Sequence, residues 1–156
     1  MAAFSAAGAV SAIVATLEGV TGIGQVHNRR RILRNAKEVQ DRLMSDGKIN
    51  AAMVSWVAMP ETLTDFGSPT RAGALSTLNF RVELFYSVED LEESEIAFRD
   101  VVWNIATAFN SAGKVYADAS HQDRMTVEEI GHLMLADVVL VHYARFWIAF
   151  RGRVSP

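Results

Sequence analysis

The amino-acid sequence predicts an α+β fold, on three observations. Apolar residues recur at helical spacing in some segments, they alternate at the two-residue spacing of strands in others, and the order of the segments favours antiparallel strands with helices over one face. With 156 residues, half of them hydrophobic and 21% charged, the chain has the size of one domain and is too apolar for disorder. The expectation is a single domain over residues 1–156: a mainly antiparallel sheet of about four to five strands packed against two to three helices. No internal repeat or low-complexity tract divides the chain.

Residues 3–19 place Val10, Ile13, Val14 and Leu17 on one helical stripe, with small residues between them. Gly19, Gly22 and Gly24 stop that helix and supply a turn, and a short extended stretch through Gln25, Val26 and His27 follows. Between Arg29 and Arg42 six residues are basic, while Ile32, Ala36, Val39 and Leu43 keep a helical period. This predicts a short amphipathic helix with a basic outer face, ended by Ser45-Asp46-Gly47.

Residues 50–59 read as a strand closed by Pro60, and the Pro-, Gly- and Thr-rich stretch 60–73 as a long loop. Leu78, Phe80, Val82, Leu84 and Tyr86 alternate with Asn79, Arg81, Glu83 and Phe85, the period of a strand with one wetter face. From Leu91 to Asn110 the period returns to helical, with Phe98, Val101, Val102, Ile105 and Phe109 as the stripe and Glu92, Glu93 and Glu95 at the anion-favouring first turn. Gly113 ends this helix, and residues 118–124 read as an exposed loop. Runs at 126–133 and 138–151 form a hairpin turning near Ala136-Asp137. In its second arm His142, Ala144, Phe146, Ile148 and Phe150 share one face, and Val141, Tyr143, Arg145, Trp147 and Arg151 the other.

Composition narrows the chemistry. A net charge of −3 gives no global attraction to nucleic acid or anionic membranes, so any basic surface is local. The absence of cysteine removes disulfides, thiol nucleophiles and thiolate metal sites. The first 28 residues hold no Lys or Arg, which is unlike a secretory leader, and the uncharged stretch from Ala2 to Leu17 is shorter than a membrane span; a soluble helix is expected there.

No catalytic, cofactor or metal site is expected. Gly22-Ile23-Gly24 follows a helix and has His27 where a dinucleotide fingerprint needs its third glycine. The four histidines lack the spacing of a helical zinc site; His121 and Asp123 make only a two-ligand fragment, and His142 reads as a hydrogen-bonded core or interface residue. No serine lies in a G-x-S-x-G elbow. The carboxylates of 89–95 are explained by a solvated helix start.

Two basic patches remain: Arg29, Arg30, Arg31 and Arg34 within the 29–42 run, and Arg145, Arg151 and Arg153 near the C-terminus. Guanidinium groups suit forked pairing with carboxylates at interfaces. The patches and the acidic 89–95 run either meet between neighbouring copies in a head-to-tail ring or serve as solubilising surface charge. Trp147, between Arg145 and Arg151, marks either an interface or a second core under a covering helix.

Several segments together resemble tail terminator (tail completion) proteins of long-tailed bacteriophages. They are the apolar N-terminal helix, the Val20-Thr21-Gly22-Ile23-Gly24-Gln25-Val26 turn followed by arginines, a short strand around Ser55-Trp56-Val57, the Phe80–Tyr86 strand, the Phe98–Phe109 helix, and a last strand beginning Val139-Leu140-Val141-His142-Tyr143. The resemblance implies a virion protein assembled in the host cytoplasm as a homo-oligomeric ring, commonly of six copies. Such a ring docks on the last ring of tail-tube protein, stops its polymerisation, meets the neck or head-completion protein, and lets DNA pass. It implies no enzyme activity, no cofactor and no membrane, and by position it maps tube- or neck-facing loops to 60–73 and 114–124. A head-completion or neck adaptor, or a small ligand-binding or hydrolytic α+β domain, are the alternatives.

Overall fold

A computed structural model describes residues 4–57, 75–88, 91–111 and 113–153. The expected 60–73 loop lies outside these. Three helices and a mixed, mostly antiparallel sheet of seven strands are present among the described residues: α1 (Ala6–Glu18), β1 (Gln25–His27), α2 (Ala36–Leu43), β2 (Met44–Ser45), β3 (Lys48–Val57), β4 (Leu75–Ser87), α3 (Leu91–Asn110), β5 (His121–Gln122), β6 (Thr126–Leu135) and β7 (Val139–Arg153). The strand order is β1-β3-β4-β7-β5, with β2 on β3 and β6 on β7. Only the β1–β3 pair is parallel.

The α+β expectation holds. The strand count exceeds it because β1, β2 and β5 have only two or three residues each. Such short strands exist through pairing with long neighbours and carry no periodicity of their own.

Alternation sets the two faces of the sheet. Leu78, Phe80, Val82 and Leu84 of β4 and Ala144, Phe146, Ile148 and Phe150 of β7 enter the main core beneath α1 and α3, with Ile13, Leu17, Phe98, Ile105 and Phe109 from the helices. On the outer face, α2 covers one end only: Val39 and Leu43 pack on Ala51, Met53, Phe85, Leu135, Val141 and Tyr143. The second core considered for the outer face of β7 therefore exists, and it takes in Val141 and Tyr143.

Local chemistry explains the element ends. Ser5 caps α1 by accepting from the Gly8 amide at 3.1 Å. Asp46-Gly47 and Ala136-Asp137 form turns with positive φ at both residues, as tight hairpins require. The Gly19–Gly24 turn is held by Asn50 Nδ2 donating to the Gly22 carbonyl at 2.8 Å. Gly113, at φ +74°, follows the end of α3.

Two expectations are corrected. The helix predicted across 29–42 begins only at Ala36, because Asn35 caps it through the Glu38 amide (3.0 Å) while Glu38 turns back to accept from the Arg34 amide (2.7 Å). Arg29, Arg30, Arg31 and Arg34 thus lie in irregular chain before α2, and Ile32 is 69% exposed instead of facing a core. Residues 118–124 are not a simple exposed loop. Ala119 is buried, and His121 and Gln122 pair with Arg151 and Phe150.

Gly24 is a position where close approach demands glycine. A Cβ there would fall inside contact distance of the Asn50 carbonyl oxygen, and 2.8 Å from the Ser45 Cβ. Gly24→Ala is expected to destabilise the fold by about 1–3 kcal/mol, in the range of overpacked sites, read as a lower urea midpoint at unchanged slope.

Candidate functional site: the edge hairpin and the outer sheet face

The β6–β7 hairpin forms because two β-rich runs flank a left-handed two-residue turn, and β7 is locked in place along β4. β6 has a partner on one side only among the described residues. Nine of its ten residues escape burial; Leu135 alone is buried. A break in register between Val127 and Glu129 leaves Glu128 as an extra residue that twists the strand.

Six of the ten large hydrophobic side chains exposed among the described residues belong to this hairpin: Val127, Ile130, Leu133, Met134, Val138 and Leu140. Ile130 lies opposite Ala144 and Met134 opposite Leu140, so these follow the helix-covered face outward past its cover. Leu133 lies opposite Val141 on the other face. A long edge strand apolar on both faces is what a soluble chain avoids unless something covers it.

The outer face beside the hairpin carries a charged cluster. Glu128 meets Arg145 at 3.1 Å and Arg81 at 3.4 Å, and Arg145 also reaches Glu129 at 3.3 Å. Deeper in, Tyr143 donates to the buried Glu83 carboxylate at 3.1 Å; burial first, and Glu83 second, push the Tyr143 phenol up to about 12. Trp147 is half-buried opposite Arg81 and Thr126, and its indole N–H has no hydrogen-bond partner among the described residues. A groove of about 530 Å³ runs beside this cluster, between Arg30–Leu33 and Leu133–Ala136, over Met53, Glu83 and Phe85.

The predicted interface residues are only partly brought together. Arg145, Trp147 and Arg151 share the outer face of β7, but both arginines are engaged within the chain, Arg151 with Asp123 at 3.6 Å. Arg34 pairs with Glu38 at 2.9 Å, and Arg34 in turn holds the Glu38 carboxyl below its usual range. Arg31 is half-exposed, its amide near the Met53 sulfur. Arg29 and Arg30 are exposed, with no ion pair among the described residues.

The acidic run does not form a continuous edge. Glu95 pairs with Arg99 on its own helix, Ser94 between Glu93 and Glu95 turns inward, Glu93 is exposed, and the Glu92 side chain lies outside the described atoms. The exposed apolar residues of β6 were missed because periodicity marks a strand's faces without saying whether anything covers them. The usable signal was apolar residues on both faces of one hairpin arm.

His142 occupies the hydrogen-bonded core position expected of it. It is 2% exposed, stacks on Phe98 at 5.1 Å between ring centres, and meets Ser94 Oγ at 3.0 Å through Nε2. The His132 ring lies 4.8 Å away across the hairpin. A serine–histidine contact is one component of a nucleophilic site, yet this one is enclosed, and no carboxylate bonds the ring among the described residues. His121 and Asp123 are 3.0 Å apart, and no group of three His, Asp or Glu side chains suited to a metal occurs among the described residues. No helix among them is long and apolar enough to cross a membrane.

No family model matches this chain, and no curated protein matches it.

Burial first and His132 second depress the His142 pKa, outweighing the opposing pull of Glu95. Its contribution to stability is complete above the ordinary imidazole value of about 6.5 and is lost as the pH falls from there through the depressed folded value. The urea midpoint is expected to drop more between about pH 7.5 and pH 5.5 in the native chain than in His142→Gln. Tyr143 has the opposite sign: its raised pKa makes a contribution complete below about 10 and lost as the pH rises through about 12. Tyr143→Phe takes a donor from the buried Glu83 carboxylate and is expected to cost about 1–3 kcal/mol at neutral pH in the same assay.

Proposed function

We propose that this chain is a structural, non-enzymatic virion protein. Its copies close into a ring that caps a phage tail tube, stops the tube's polymerisation and joins it to the neck. The observation that carries the reading is the apolar β6–β7 hairpin on a sheet edge, together with the likeness in segment order to tail terminator proteins. A lone subunit exposes Ile130, Met134, Val138 and Leu140 to water at a free-energy cost; a neighbouring copy removes that cost.

The sheet also supports closure. It presents different surfaces at its two ends, α1 with β1 at one and the hairpin at the other. Contacts between unlike surfaces generate rings or filaments, whereas a twofold dimer needs one surface meeting itself. A second exposed apolar pair, Ile96 and Trp103, lies seven residues apart on one side of α3 and is available to another component of the tail or neck. The steric mechanism needs no reacting group, only a fitted ring whose distal face offers no further tube subunit a place to bind. A neck adaptor on the portal side is the second reading, and it shares the ring.

Native mass spectrometry is expected to give one closed homo-oligomer, and negative-stain images a ring. Added to its own phage's polymerising tail-tube protein, the ring is expected to arrest elongation. A strict monomer at every concentration would overturn the proposal, and a ring that binds the portal assembly while leaving tube growth unchanged would replace it with the adaptor reading.

A further inference from the structure

β6 is tied to α3 at two places. Just before the strand, Asn110 at the end of α3 accepts from the Met125 amide at 2.8 Å and donates to the Met125 carbonyl at 3.1 Å. Further along β6, near the start of α3, the tie is a run of three rings. Phe98 of α3 stacks on His142 of β7 with ring centres 5.1 Å apart and planes inclined by 17°, and His142 faces His132 of β6, its partner in register, with centres 4.8 Å apart.

This run tolerates protons poorly. Among the described residues, the groups around the His142 ring are Ser94 and Glu95 on α3, Tyr86 opposite it on β4, His132 on β6, and the apolar Leu140 and Ala144 on its own strand. Glu95 is the acid of this set, and Arg99 engages it at 2.5 Å. A proton on His142 therefore meets neither water nor a bonded carboxylate, and a second proton on His132 would place like charges on adjacent rings. Both costs fall once β6 parts from β7. His132 is already exposed, β6 has a partner on one side only among the described residues, and its departure opens one flank of His142 to water. The cover of Phe98 and the β4 strand, by contrast, are built into the main core.

We propose that His132 and His142 form a proton-operated latch between α3 and the edge strand: with both rings neutral β6 stays closed on β7, and proton uptake opens it while the rest of the sheet remains folded. The latch belongs to the fold of a single copy and goes beyond the ring reading, on which it does not depend. The strand it frees carries Ile130, Leu133 and Met134, so acid alters the apolar surface that a copy presents. Its sign matches the depression of the His142 pKa by burial and by His132: the closed form is fully favoured above about 6.5 and loses ground as the pH falls from there.

Hydrogen exchange followed residue by residue tests it, with each rate divided into its intrinsic value so that the chemistry of exchange cancels. Opening that takes up one proton at an ordinary imidazole value of about 6.5 grows by at most about tenfold between pH 7.5 and pH 5.5. Over that range the protection of the β6 amides is expected to fall severalfold toward this ceiling, while that of β3 and β4 holds. His27 and His121 lie on β1 and β5, so their titration would register elsewhere in the sheet. His142→Gln is expected to abolish the fall at β6. His132→Phe, at an exposed position, keeps a ring against His142 without a second charge and is expected to reduce it.

An equal loss of protection in every strand overturns the latch, because it would mark global unfolding. So would a fall at β6 that His132→Phe leaves unchanged, or a His142 imidazole that titrates by NMR while β6 stays fully protected. None of these outcomes bears on whether the chain forms a ring, and a chain that never associates leaves the latch standing.

Discussion

The pairing of β4 with β7 is the constraint on which the rest of the structure depends. Every residue of β4 from Leu75 to Ser87 has a partner on β7, from Arg153 back to Val141. Because strand side chains alternate, that one register decides the fate of both strands at once. It sends Phe80, Val82, Leu84, Phe146 and Ile148 beneath α1 and α3, and Arg81, Glu83, Arg145 and Trp147 to the other face. A slip of one residue would place Arg81 and Glu83 in the main core and put phenylalanines in water. β3 on one side and β6 on the other take their registers from this pair, so the edge position of the hairpin is a consequence of the central pairing.

How much of this was legible in the sequence follows from the same physics. β4, β7, α1 and α3 could be read directly because each buries one face along most of its length, and burial imprints a period. The segment 29–35 misled because Ile32, Ala36, Val39 and Leu43 happen to share a helical period, whereas the helix start is set by the side-chain bonds of Asn35 and Glu38, whose N-x-x-E spacing was present but went unread. β2 and β5 exist only through their partners. At the candidate site, the alternating faces of β7 and the buried position of His142 were readable. The exposure of Ile130, Met134 and Leu140 was not, since an apolar residue in a strand looks the same in sequence whether its cover comes from its own chain or from another.

Charge behaves similarly. Read along the chain, Arg34, Glu95, Arg145 and Arg151 look like free patches awaiting a partner. In the fold each finds an opposite charge nearby, Arg34 and Glu95 four residues along the chain and Arg145 and Arg151 across the sheet edge. Pairs this exposed contribute little to stability, but they do neutralise the field that would otherwise act on another molecule. Among the described residues the exposed charges left without an ion pair are scattered, Arg29, Arg30, Arg124 and Arg153 among them, and two of the three hairpin acids, Glu128 and Glu129, are already paired with Arg81 and Arg145.

For the ring proposed above, that pairing makes apolar contact, more than charge, the main source of affinity. The outer-face cluster of Arg81, Glu128, Arg145 and Glu129 is positioned to stiffen the hairpin from one side while the opposite side stays apolar. Rigidity there matters for association, because a surface already ordered before contact loses less conformational entropy on binding. The Glu128 bulge adds twist at the root of the arm. If each copy of the proposed ring holds its hairpin at a fixed angle to the rest of its sheet, that angle, more than the strength of any single contact, sets how many copies complete the turn.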